Sequence, residues 1–130
     1  MYRFIIVIFF SFQVIIVSAQ ENSIEGKWTG IDDKGESAII TFYSNTATME
    51  FGGEKASPFD YEIDYTKDPI RINLIMKNEK QQVVIPALVK FLDSNKIKWE
   101  VFPYATTTPL NFSSESNEIN ETTIVLTRIK

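Results

Sequence analysis

Residues 61–74, YEIDYTKDPIRINL, decide how this chain folds. Tyr61, Ile63 and Tyr65 alternate with Glu62 and Asp64, and Ile70, Ile72 and Leu74 alternate with Arg71 and Asn73. A period of two places the apolar set on one face of a strand and the charged set on the other. Between the two runs lies Thr66-Lys67-Asp68-Pro69. Pro69 has no N–H to give to a central ladder, so the chain turns there. The stretch reads as a β-hairpin with one buried and one solvated face.

The same pattern continues on both sides. Strands are expected over residues 24–31, 37–44, 46–51, from Phe59 into the hairpin, 82–92, 96–102 and 122–129. Asp32-Asp33-Lys34-Gly35, Asn45, Gly52-Gly53, Asn78-Glu79-Lys80 and Asp93-Ser94-Asn95 punctuate them. Pro86 inside residues 82–92 predicts a bulge or bend. No stretch of the mature chain has a convincing helical period. Eight strands, joined by short turns except before the last, predict an all-β, antiparallel eight-stranded up-and-down barrel. A two-sheet β-sandwich is the alternative, because strand count alone does not decide closure. An eight-stranded barrel is either filled by its side chains or holds one small ligand.

The chain opens with Arg3, an apolar run over residues 4–17 broken by Ser11 and Gln13, and Val17-Ser18-Ala19. This is the secretory pattern, with cleavage expected after Ala19. The apolar run is shorter than the roughly 20 residues of a spanning helix. The expected organisation is a signal peptide, 1–19, and one barrel domain, 20–130, secreted or periplasmic and not inserted in a membrane after cleavage. Removing 19 of 130 residues leaves 111, with 12 basic against 17 acidic side chains and a net charge of −5. That balance disfavours nucleic acid and anionic membranes.

The sequence has no Cys and no His. Disulfides, Ser-His-Asp and Cys-His nucleophiles and most zinc sites are thereby excluded. Asp60, Glu62 and Asp64 form a carboxylate row with a spacing of roughly 6.5–7 Å, but its place opposite an apolar face marks it as solvated. In Asp32-Asp33-Lys34-Gly35-Glu36 a Lys stands where an EF-hand loop needs an oxygen ligand. No catalytic residue, metal or cofactor is therefore expected. The aromatic residues are the better candidates. Trp28, Phe42, Tyr61, Tyr65 and Trp99 are expected to line or plug the barrel, and a Tyr hydroxyl in an apolar interior needs a partner. Tyr61, Trp99, Phe42 and Tyr65 are the candidate ligand-binding residues. Tyr104 and Phe112, on the long polar segment 103–120, are candidate partner contacts.

Tyr61, Ile63, Asp64, Thr66, Lys67, Pro69, Ile72 and Leu74 together match a Tyr-x-Ile/Leu-Asp-x-Ser/Thr-Lys-x-Pro-x-x-Ile-x-Leu signature. In this the chain resembles an uncharacterised lipocalin-like family of small exported bacterial domains. Gly26-x-Trp28 looks like the opening motif of lipocalin-like barrels. The Asp93–Ile97 stretch, Pro109-x-x-Phe112 and Leu126-Thr127-Arg128 are similar to the family's later elements. The resemblance implies that Trp28 packs across the closed end of the barrel and that Arg128 stacks on it, a cation–π contact of roughly 0.5–2 kcal/mol. It brings no activity with it. Compared with true lipocalins, the first turn is short and no helix is expected after the last strand. The expected function is binding of a small apolar or amphipathic molecule. The alternative is a protein-interaction or inhibitor domain with a filled barrel, acting through its loops.

Overall fold

The computed structural model describes residues 22–55 and 57–130, so the signal-peptide reading lies outside the described residues. Its strands are β1 (Gly26–Ile31), β2 (Ser37–Phe42), β3 (Thr46–Phe51), β4 (Glu54–Lys55), β5 (Phe59–Asp64), β6 (Ile70–Lys77), β7 (Gln82–Asp93), β8 (Lys96–Val101) and β9 (Thr123–Arg128). Every pairing is antiparallel. Strand follows strand around the sheet until β9 pairs with β1, Trp28 opposite Arg128 and Thr29 opposite Thr127. This seam closes an eight-stranded up-and-down barrel and sets the sandwich aside. β4 is a two-residue extra strand folded back on the end of β3.

The decisive hairpin forms as its pattern requires, with Tyr61 opposite Leu74 and Ile63 opposite Ile72. It ends one residue earlier than the alternation suggests. The Asp64 carboxylate accepts a hydrogen bond from the Thr66 amide at 2.9 Å, a side-chain turn that takes Tyr65 out of the ladder and leaves it 45% exposed. Pro86 also differs from expectation. It stays in register opposite Asn73, and the irregularity falls instead between Phe91 and Asp93. The β7–β8 ladder begins at Ala87, so the missing donor of Pro86 lies where that ladder has ended, while its carbonyl accepts from Phe102 N at 2.8 Å.

Inward-facing residues from every long strand meet in one core that includes Trp28, Ile40, Phe42, Tyr61, Leu74 and Trp99. Phe42 packs edge-on to Tyr61, ring centroids 5.2 Å apart, and tilted against Trp99 at 5.8 Å. At the seam the backbones approach closely. A Cβ on Gly30 would sit 2.5 Å from the Val125 carbonyl oxygen and 3.0 Å from the Leu126 side chain. Gly30→Ala should therefore force β1 away from β9 and cost about 1–3 kcal/mol, read as a lower urea midpoint. An unchanged midpoint would show that the seam yields without cost.

Candidate functional site

The two ends of the barrel differ. One is plugged. Trp28 donates its indole N–H to the Ile24 carbonyl at 2.7 Å, and Ile24 is itself fully buried. The Arg128 guanidinium lies 4.2 Å from the Trp28 ring and donates to the carbonyls of Glu25 at 2.6 Å and Ser23 at 2.8 Å. Gly26 has φ +122°, a conformation open mainly to glycine, and a Cβ there would come within 2.9 Å of the guanidinium. The Gly-x-Trp spacing thus has a local cause: the glycine leaves room for the cation that covers the tryptophan. Tyr65 adds a further tie, its hydroxyl accepting from Ile24 N at 3.1 Å. Beside this plug, Tyr65, Ile70 and Phe91 line a second, somewhat more open cleft of about 620 Å³.

The other end is open. A cavity of about 670 Å³ enters the barrel there, floored and walled by Met49, Leu74, Ile85, Trp99, Val101 and Ile124. Phe51 and Met76 stand at its lip, and the β1–β2 turn and the start of β9 form its rim. The volume falls within the roughly 300–1,000 Å³ of small-molecule sites, and an apolar wall with a few polar groups at one end is their usual composition.

The four ligand-binding candidates are divided by this geometry. Trp99 lines the cup. Phe42 lies in the core below it, against both Trp99 and Tyr61. The Tyr61 hydroxyl donates to the Tyr43 carbonyl, which gives it a backbone partner within the protein, and burial pushes its pKa above the ordinary phenol value. Tyr65 is at the plugged end. Asp60, Glu62 and Asp64 all lie on the solvent face, and among the described residues no three acidic side chains converge to hold a metal ion.

A second feature, a clamp on the outer face of β8, was not anticipated from the residues of β8 itself. Ile97, Trp99 and Val101 face inward, so Lys98 and Glu100 face out, yet they are only 2% and 1% exposed. Segment 102–122 crosses over them. Lys98 Nζ donates to the carbonyls of Ser114 and Ser116, both at 2.7 Å, and lies 4.4 Å from the Phe112 ring. Glu100 accepts from the Ser113 amide at 2.9 Å, the Ser113 hydroxyl, and the Thr122 hydroxyl at 2.9 Å. Burial pushes the Glu100 carboxyl up, but the bonds from Ser113 and Thr122 outweigh it and hold the group below the ordinary carboxylate range. Burial likewise lowers the Lys98 pKa, with Glu100 opposing the shift. Phe112 is thus half-buried against Lys98, whereas Tyr104 is 98% exposed.

No protein-family model and no curated protein matches the chain. Among solved structures it is similar to a DUF4909 family protein from Staphylococcus aureus. The TM-score is 0.53 at 16% sequence identity, over 85% of this chain and 100% of that one. At this identity the likeness concerns the fold.

Proposed function

We propose that this protein is an exported binding protein of the lipocalin-like group, which takes a small amphipathic molecule into the open end of its barrel. The observation that carries the reading is the cup of about 670 Å³ with Trp99 in its wall, at one end of a barrel whose opposite end is plugged by Ile24, Trp28 and Arg128. One plugged end and one open end make a container rather than a channel. The secretory pattern of residues 1–19 supports an exported location. In this reading the barrel binds and does not catalyse, uses no cofactor, and contacts neither nucleic acid nor membrane.

The test is native mass spectrometry of the protein recovered from the exported fraction without denaturation. A small-molecule adduct is expected. It should disappear in Val101→Trp, which fills the cup from its wall. A bare protein mass, unchanged after incubation with a lipid and metabolite extract, would remove the carrier reading. One observation favours a second reading, a protein-interaction domain. Tyr104 and Leu110, 98% and 72% exposed, project from a segment fastened by the Lys98–Glu100 clamp. A protein that co-purifies with the wild type and is lost with Tyr104→Ala would support it.

A further inference from the structure

The rim of the cup carries charge of one dominant sign. Asp32, Asp33, Glu36 and Glu121 border the cavity against a single ammonium, Lys34. Asp32 is engaged locally, its carboxylate accepting from the amides of Lys34 at 2.9 Å and Glu36 at 2.8 Å. Among the described residues none of the four is ion-paired, and the one ion pair joins Lys77 to Asp60. Nor do they gather tightly enough to chelate a metal ion. What remains is a spread of negative charge around an apolar opening. Such a field attracts a diffuse organic cation more readily than it selects a small inorganic one.

The walls agree with the rim. Trp99 and Phe51 border the cavity with aromatic rings, and Met49 and Met76 with thioethers. Aromatic faces attract cations, ammonium heads included, so the Phe51 ring at the lip suits the head, while Trp99 deeper in the wall offers apolar area to the body. Methionines adapt to irregular flexible chains. We propose that the cup selects cationic amphiphiles, molecules with an alkyl or aryl body and an ammonium-type head, with the body against Met49, Leu74 and Trp99 and the head among Asp33, Glu36 and Glu121. This rests on the cup being a binding site and names the class of its ligand.

The experiment compares three probes with one decyl tail and different heads: decyltrimethylammonium, decylphosphocholine and decyl sulfate. Each is titrated into the exported protein below its micelle concentration and followed by tryptophan emission and calorimetry. The cationic probe is expected to bind about tenfold more tightly than the anionic one. The gap should narrow at high salt, because exposed charges are screened. The double variant Asp33→Lys, Glu36→Lys should erase or invert the order, and both sites are exposed positions in a turn, where folding tolerates the change. Equal binding of all three probes, or tighter binding of decyl sulfate, would overturn the charge selection and leave the carrier reading standing. Binding of none would remove both.

Discussion

Trp28→Ala should destabilise the barrel by about 3–5 kcal/mol, the usual cost of removing a buried tryptophan from a core. The side chain is fully buried, holds Ile24 through its indole N–H, and supports the Arg128 guanidinium. Its loss opens a cavity and frees residues 23–25 from the end of the barrel. A domain of this size has only about 5–15 kcal/mol of stability in total, so the variant should unfold at much lower urea or not accumulate at all. Arg128→Ala should cost less, because its donors face exposed carbonyls and its stacking contributes roughly 0.5–2 kcal/mol. Equal losses in the two variants would show that the plug depends as much on the arginine as on the indole.

The second large effect concerns Glu100. Glu100→Ala leaves the Ser113 amide and the hydroxyls of Ser113 and Thr122 without their acceptor beneath a covering segment. A loss of roughly 2–3 kcal/mol is expected, together with faster proteolysis within residues 102–122. The same group predicts a pH dependence. Its folded pKa is depressed, so the unfolded chain takes up the proton first on acidification. The contribution of Glu100 is complete above the unfolded carboxylate value of about 4.3 and is lost as pH falls through the lower folded value. Urea midpoints should therefore drop more steeply in acid for the wild type than for Glu100→Gln. Parallel curves for the two proteins would assign the acid sensitivity to other carboxylates.

Much of the fold was legible because a strand writes its two faces into alternate residues. All eight barrel strands fall where alternation and turn residues place them, and the extra pair Glu54–Lys55 was too short to carry a period. Closure was not legible. It depends on β9 reaching β1 across about 100 positions, which no local pattern encodes. Tyr65 and Pro86 show the limit of periodicity. Each continues a local rule that a neighbouring hydrogen bond or the end of a ladder overrides.

The clamp was hidden for a different reason. Lys98 and Glu100 occupy outward positions, where charge ordinarily means solvent. The available signal lay one strand away. β7 is apolar on both faces near Leu88, and Leu88 stands opposite Glu100 and is fully buried although it faces outward. A strand apolar on both sides is covered on both sides. Of the candidate ligand-binding residues only Trp99 reaches the cup, because its depth and the plug at the far end are set by strand stagger rather than by residue type.

The β1–β9 seam also governs the order of assembly. Delivery from the N-terminus, at the ribosome or across a membrane, brings out β1 first and β9 last. The first seven barrel strands can pair in sequence as they emerge, but the ring has no partner for the free edge of β1 until Thr123–Arg128 arrives. Until then β1 and β8 each present an open edge, the kind of surface on which another chain can pair. Contacts across so long a loop form slowly, and for this barrel that slow contact is the one that ends the exposure.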